Sequence, residues 1–239
     1  MSDSTANASD RILIPNRRLL VPYAAPYFAY VALGSLLGDH LAVEWVYGLR
    51  LALVPALLWW GRRWYPPVTG PRNPWGSAAV GAATGLVAIG AWITLLTPFA
   101  SNDVAAWDPT TFILRLLAAG FVVPVFEELF ARGYVLRLAY QWDALRREGE
   151  HQALAAALDE HTVSDVAPGA WSGWAVAIST LVFAAGHNPS EWPAAVVYGL
   201  FMAWLWITRR DLLSCIVAHA VSNLALGGYV LATGAWGLW

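Results

Sequence analysis

The sequence predicts an all-α fold, a polytopic membrane helix bundle, from three observations. The chain of 239 residues is 58% hydrophobic and 13% charged, whereas soluble domains carry roughly 25% charged residues. It contains 15 Trp, a residue type enriched at membrane interfaces. Its apolar residues form runs long enough to cross a bilayer, which takes about 20 residues. The net charge of −2 gives no basic footprint, so the bilayer is an expected partner and nucleic acid is not.

Seven spans are predicted, and an eighth would follow if the long connection 138–169 dips into the membrane. The first half of that connection has helical spacing of Leu138, Trp142 and Leu145, which predicts either a surface helix or a gate over the site. The seven predicted spans are residues 19–37, 42–61, 76–98, 111–137, 170–187, 192–208 and 211–231.

Arginines predict the orientation of these spans. They precede the first span and follow the second, fourth and sixth, at Arg17, Arg18, Arg62, Arg63, Arg72, Arg137, Arg146, Arg147, Arg209 and Arg210. Because cytoplasmic loops carry an excess of Lys and Arg, the N-terminus is expected in the cytoplasm and the C-terminus outside. No convincing cleavage site follows the first basic residues, so a retained signal anchor is expected.

The run FVVPVFEELFARGYVLR places ionisable groups where lipid would favour none. A charge at mid-bilayer costs about 2.5–3.5 kcal/mol on insertion scales. Glu128 and Arg132 are four residues apart and can pair on one helix face. Glu127 lies about 100° further around the helix, without an obvious partner on its own helix. A carboxylate in that setting can serve as a general base. The simpler interpretation of these charges is a buried Glu128–Arg132 pair that only stabilises helix packing.

Two later spans carry further polar groups. His187 lies four residues after Phe183, and Asn223 lies four residues after His219. A neutral His can act as a base or bind a metal, and His and Asn can both donate to an oxyanion. Each of these residues alone is more typical of a satisfied core side chain. Together with the two carboxylates they predict a hydrolytic site in an intramembrane cavity.

Three motifs, EELFAR, FAAGH and HAVSN, occur in this order on successive predicted spans. The set resembles the CAAX protease and bacteriocin-processing (CPBP, or Abi) family of intramembrane endopeptidases, which includes the type II CAAX prenyl proteases. The family pattern is Glu-Glu-x-x-x-Arg, Phe-x-x-x-His and His-x-x-x-Asn or Asp, and all three motifs fit it. The resemblance covers about residues 111–226, while PYFAYVALGSL resembles bacterial CAAX prenyl protease-related members.

The resemblance implies a division of the chain and a role for each matched residue. Residues 1–18 are expected to form a disordered cytoplasmic segment, 19–110 further membrane helices, and 111–239 the catalytic core of a bacterial or archaeal multi-pass membrane protein. Glu127 would act with His187 to activate a water, and Glu128 and Arg132 would support that carboxylate. His219 and Asn223 would stabilise the oxyanion.

Metal dependence stays open at this stage. An older interpretation of the family makes its members zinc proteases. Catalytic zinc is normally held by three protein ligands and a water, which Glu127, His187 and His219 could supply. The same three residues could also work without a metal, and this version is preferred. No Cys-rich metal site is possible, because Cys215 is the single cysteine.

The predicted site requires Glu127 and His187 to meet, although their spans place them at different depths in the membrane. Glu127 is expected about 15 Å from the cytoplasmic end of its span, at 1.5 Å per residue, whereas simple counting puts His187 near the outer surface. For these side chains to meet, span five must be short or displaced, and HNPSEWP must lie inside the bundle. Irregular backbone is tolerated at membrane depth where it lines a protein cavity.

The expected partner is a peptide or protein substrate at the membrane, lipidated if it is the prenylated Cys-a-a-X peptide of the family name. Two other classes remain as alternatives. A catalytically silent scaffold or immunity-type protein would keep the motifs without cleavage. A transporter would be expected to show broken helices in two related halves, and no such repeat is apparent in the sequence.

Overall fold

Helices account for most of the residues described by the computed structural model, which are 14–101 and 104–239. Within these ranges there is no β-strand, so the all-α prediction is confirmed. Of the segment 1–18 that was predicted to be disordered, residues 1–13 lie outside the described part of the chain, whereas Asn16, Arg17 and Arg18 belong to α1. The helices are α1 (Asn16–Leu37), α2 (Val43–Gly61), α3 (Pro74–Leu96), α4 (Pro109–Arg147), α5 (Ala153–Asp159), α6 (Gly173–Ala185), α7 (Trp192–Arg209) and α8 (Leu213–Thr233).

Four helical segments are long and apolar enough to cross a membrane: Asn16–Leu37, Pro74–Phe99, Pro109–Arg147 and Leu213–Thr233. The chain is therefore an integral membrane protein. Helices α2, α6 and α7 occupy the other three predicted spans but are shorter or less apolar, and the count of seven or eight is not confirmed. Helix α5 has seven residues, too few to span a bilayer.

Local sequence signals explain where the central helices begin and end. Asp108 accepts hydrogen bonds from the backbone of Thr110 and Thr111, and Pro109 follows at the first position of α4, where a missing N–H has no cost. Ser172 caps α6 in the same way through Ala175 N. Helix α8 ends at Gly234, whose φ of 73° favours glycine.

Helix α4 is longer than the predicted span 111–137. It continues without a break to Arg147, so the helical spacing of Leu138, Trp142 and Leu145 belongs to α4 itself and not to a separate surface helix. Two π-helical stretches, Ala118–Val122 and Leu129–Val135, interrupt its α-helical geometry. Such stretches are frequent at functional sites, and here they lie on either side of Val123–Glu128.

Glycines bring α3 and α8 into direct backbone contact. The backbone of Ser214 packs on Gly81 and that of Ala218 packs on Gly85, so a side chain at either glycine would collide with α8. Small residues four apart are the usual means of close helix approach in membranes. The Ser222 hydroxyl adds a hydrogen bond of 2.8 Å to Gly85 O. This contact fixes α8, which carries two predicted site residues.

A polar network at the N-terminal end of α1 holds the connection between α4 and α6. The Asn16 amide nitrogen donates to Gln141 Oε1 (2.7 Å) and to Ala157 O (2.8 Å), and its oxygen accepts from Val163 N (2.6 Å). Arg17 forms two hydrogen bonds with Asp159, which hold the pKa of that carboxyl below its usual value. The connection is therefore packed against α1 and α4.

Candidate active site

Glu128 and Arg132 form a fully buried ion pair on α4, as their spacing predicted. Arg132 Nη1 lies 3.2 Å from Glu128 Oε2, and neither side chain has any exposed surface. Arg132 Nη2 also donates to Gly199 O at 3.0 Å, which ties α4 to α7. The interior position of the pair explains why lipid does not exclude these charges.

His219 extends this ion pair across to α8. Its Nδ1 lies 3.1 Å from Glu128 Oε1. Because an ionised carboxylate only accepts hydrogen bonds, Nδ1 carries the proton of this bond, and Nε2 faces Glu127. Nε2 lies 3.9 Å from Glu127 Oε2, which is too far for a hydrogen bond. Glu128 thus orients the His219 ring, a contact that spacing along one helix could not reveal.

Glu127 is the carboxylate without a fixed partner. Its Oε2 is buried and meets no hydrogen-bond partner in the described ranges. The side chain is 16% exposed, because it borders a cavity. A buried polar atom without a protein partner is rare and requires an explanation. A bound water or substrate group at Oε2 would supply one.

His187 reaches the same depth because α6 is short. The helix has 13 residues and ends at Ala185, which gives a length of about 20 Å. His187 lies in the turn that follows, where its Nδ1 is 3.0 Å from Phe183 O. A carbonyl oxygen only accepts, so Nδ1 donates and Nε2 of the neutral ring remains an acceptor. Helix α6 is short, as the difference in depth required, but the expectation that HNPSEWP lies inside the bundle is wrong, because most of its residues are exposed.

Asn223 lies one turn beyond His219 on α8. Its Nδ2 donates to Ala119 O at 2.7 Å, a carbonyl in the first π-helical stretch of α4. An amide nitrogen has two donor hydrogens, so one of them remains after this bond is made. The contact anchors the Asn223 side chain while leaving it a donor for a ligand.

One cavity of about 110 Å³ collects these side chains. Glu127, His187, His219 and Asn223 all border it, so residues from α4, α8 and the turn after α6 meet at one place. The space is large enough for water. Glu128 and Arg132 do not border the cavity but lie behind it, where they position His219. The cavity is also lined by Ile89, Trp92, Val123, Phe183, Tyr198, Ser222 and Leu226.

Tyr198 is a cavity residue that sequence reasoning missed. Its ring packs against Phe183, Trp92 and His219, with centroids 5.8, 5.9 and 5.5 Å away. The residue is only 4% exposed, yet its hydroxyl makes no hydrogen bond of good geometry among the described residues, although the Ser222 hydroxyl is a neighbour. Buried Tyr hydroxyls usually find a partner. In an apolar helix rich in aromatic residues, no sequence signal separates Tyr198 from a lipid-facing side chain.

The zinc alternative would take Glu127, His187 and His219 as ligands. In the ranges 14–101 and 104–239, no three His, Cys, Asp or Glu side chains are gathered as metal ligands. Glu128 and Phe183 O occupy Nδ1 of His219 and of His187 respectively, which leaves Nε2 of each ring free. The site offers a carboxylate without a partner, an imidazole acceptor and several hydrogen-bond donors around a small space. This set of groups is typical of a membrane-embedded hydrolase.

The comparison with protein families agrees with this class. Residues 109–225 match a family model described as type II CAAX prenyl endopeptidase Rce1-like. The match covers all three motifs and ends two residues after Asn223. Over these residues the chain is similar to the CAAX protease-like family, and the resemblance identified from the motifs is confirmed. A search of curated proteins and a search of solved structures gave no match. The family is one of intramembrane proteases, so the match supports a membrane hydrolase of protease type.

Proposed function

We propose that this protein is an endopeptidase that hydrolyses a peptide bond at the membrane with a water activated by Glu127 and His187. The observation that supports this most directly is the meeting of Glu127, His187, His219 and Asn223 at one cavity. Their chemistry matches the needs of hydrolysis, which are a base, a water and donors for an oxyanion.

The proposed reaction uses the side-chain atoms of the cavity that have no hydrogen-bond partner in the described part of the protein. A water between Glu127 and His187 gives a proton to Glu127 as its oxygen attacks the substrate carbonyl carbon. The carbonyl oxygen becomes an oxyanion and accepts hydrogen bonds from the remaining N–H of Asn223 and from Nε2 of His219, which donates when the ring is the imidazolium paired with Glu128. The tetrahedral intermediate collapses as the C–N bond breaks, and the proton held by Glu127 passes to the leaving amine. Glu128 and Arg132 act by holding the His219 ring.

The Tyr198 hydroxyl is proposed as a further donor to the oxyanion. Tyr198→Phe removes only this oxygen and leaves the ring contacts with Phe183, Trp92 and His219. We expect kcat to fall about 10²-fold, the scale for one lost oxyanion donor, with KM nearly unchanged. Thermal stability should stay equal or rise, since an unpaired buried hydroxyl is removed.

Steady-state kinetics and thermal unfolding of Tyr198→Phe check this prediction. Tyr23→Phe is the matched control, because Tyr23 is equally buried but donates to Trp64 O at 3.2 Å, away from the cavity. That control should lose a little stability and keep full turnover. Unchanged kcat in Tyr198→Phe would remove the hydroxyl from the mechanism while leaving the protease assignment in place.

The proposed substrate is a prenylated peptide ending in Cys-a-a-X, the class given by the family description. The test uses the protein in liposomes with a quenched fluorescent peptide of this type and its unprenylated counterpart. We expect cleavage of the prenylated peptide. Preference for the unprenylated peptide would contradict the lipid requirement. If neither is cut, comparison of membrane peptides from cells with wild-type and Glu127→Gln protein tests the protease assignment itself.

A metal-free mechanism is proposed, since Glu127 and His187 supply the base and three side chains supply donors. The measurement is cleavage by purified protein after exhaustive chelation, with zinc content determined in the same sample. Full activity at a zinc content far below one ion per chain is expected. Loss of activity that zinc restores would contradict this part of the proposal.

The proposed topology has seven spans, a cytoplasmic N-terminus and an outside C-terminus, as the arginines predict. Reporter fusions at residues 70, 105, 155 and 239 should then report in, out, in and out. Fusions at 70 and 105 on the same side would contradict it, because α3 would no longer cross the membrane.

A further inference from the structure

A second cleft, mostly apolar but bordered by Arg50, lies between α1 and α2, away from the catalytic cavity. It has a volume of about 390 Å³ and shares no lining residue with that cavity. Its wall includes Tyr30, Gly34, Ser35, Tyr47 and Arg50. The proposed hydrolytic mechanism uses none of them. Arg50 lies near the middle of the predicted span 42–61.

No carboxylate meets Arg50 in the described part of the chain. Its Nε donates to Tyr30 O at 3.0 Å. The guanidinium carbon lies 4.2 Å from the ring centroid of Tyr30 and 5.1 Å from that of Tyr47. The terminal nitrogens of Arg50 make no hydrogen bond or ion pair within residues 14–101 and 104–239. A guanidinium on a membrane helix is therefore held in place but not neutralised.

The guanidinium lies near the end of α1, where a membrane span is expected to reach the interface. It lies against the backbone of Gly34, where an added side chain would collide with Arg50 Nη2. Gly34 is three residues from the end of α1, or roughly 5 Å along the axis. Long arginine side chains reach toward the interface from within a span. At that level the abundant anions are the phosphates of lipid headgroups.

We propose that the cleft between α1 and α2 binds the phosphate of a phospholipid headgroup through Arg50. The guanidinium fork suits phosphate because two of its N–H groups can bond two oxygens at once. Tyr30 and Tyr47 cover its flat face, which leaves the donor edge for the ligand. Gly34, Gly38 and Ser35 leave room for the headgroup, and Val31 and Val46 give an apolar wall for the glycerol region.

Retention of lipid during purification in mild detergent tests the proposal. Native mass spectrometry with phosphorus analysis is expected to find one phospholipid held per wild-type chain. Arg50→Met should reduce this retention about tenfold or more, the effect of losing a charge-assisted hydrogen bond. Arg62→Met is the matched control. Arg62 also lies over a ring, that of Trp59 at 3.9 Å, and donates to a carbonyl, but it does not line this cleft, so retention should stay at the wild-type level.

Thermal unfolding of delipidated protein separates the two possible sources of phosphate. Phosphatidylglycerol should raise the unfolding midpoint of wild type and of Arg62→Met but not of Arg50→Met, whereas inorganic phosphate should raise none. An equal rise with inorganic phosphate alone would overturn the lipid headgroup as the ligand. Equal lipid retention by Arg50→Met and wild type would overturn the site itself. If Arg50→Met does not fold, Arg50→Lys keeps the charge without the fork, and undiminished retention there would contradict bidentate binding.

Discussion

Glu127→Gln is expected to abolish most cleavage without harming the fold. The carboxyl oxygen Oε2 has no hydrogen-bond partner in the described residues, and Gln is nearly isosteric and neutral. The change therefore removes a base while leaving packing intact, and activity should fall by about 10² or more. Cleavage of the prenylated peptide and the thermal unfolding midpoint, measured on the same preparations, check both parts of the expectation.

Glu44→Gln gives a matched control for this variant. Glu44 is a carboxylate on the membrane helix α2, where it accepts a hydrogen bond of 2.9 Å from Thr111, and it does not border the catalytic cavity. Its conversion to Gln should leave turnover at the wild-type level. Full cleavage by Glu127→Gln would mean that the carboxylate is not the base. Full biological function without any cleavage would favour the silent scaffold, in which the motifs are retained without chemistry.

Glu128→Gln is expected to lose stability as well as activity. Glu128 is fully buried and meets two partners, Arg132 at 3.2 Å and His219 at 3.1 Å. Removing its charge leaves the Arg132 guanidinium buried without a counter-charge, and breaking such a pair costs about 3–5 kcal/mol. Activity should fall too, because the His219 ring loses the carboxylate that orients it. Reversible unfolding in detergent, compared with Glu127→Gln, measures the difference.

A double variant separates the two effects of Glu128→Gln. Adding Arg132→Met removes the stranded charge, so much of the lost stability should return, since apolar replacements of buried pairs are often neutral or stabilising. Activity should remain low, because His219 still lacks its carboxylate. Wild-type stability in Glu128→Gln alone would contradict a structural role for the ion pair. Recovery of activity in the double variant would contradict the positioning role of Glu128.

The contacts between motif residues on the same helix could be predicted, because their spacing in the sequence determines which of them share a helix face. Residues four apart lie on one helix face, which predicted the Glu128–Arg132 pair and the placement of His187 beside Phe183. The need to avoid charges in lipid predicted that these faces turn inward. The short α6 could be inferred because His187 had no other way to reach the depth of Glu127.

The contacts between helices could not be predicted in the same way. The bond from His219 to Glu128 depends on how α8 packs on α4, and that packing depends on Gly85, which has no side chain to suggest a role. The sequence does not distinguish Tyr198 from the other aromatic residues of α7, and only the structure shows it at the cavity. The surroundings of Arg50, a backbone carbonyl and two rings, could not be predicted either, since spacing along one helix says nothing about which neighbour faces it.

The brevity of α6 has a consequence for the bilayer around the protein. A helix of about 20 Å falls roughly 10 Å short of the usual hydrocarbon thickness. Such hydrophobic mismatch is accommodated by local thinning of the bilayer. The residues that follow α6, from Gly186 to Ser190, are largely exposed, and if α6 crosses the bilayer we expect headgroups and solvent to come down to meet them. The proposed reaction consumes one water per cycle, and such a dip in the membrane would give that water a short route to His187.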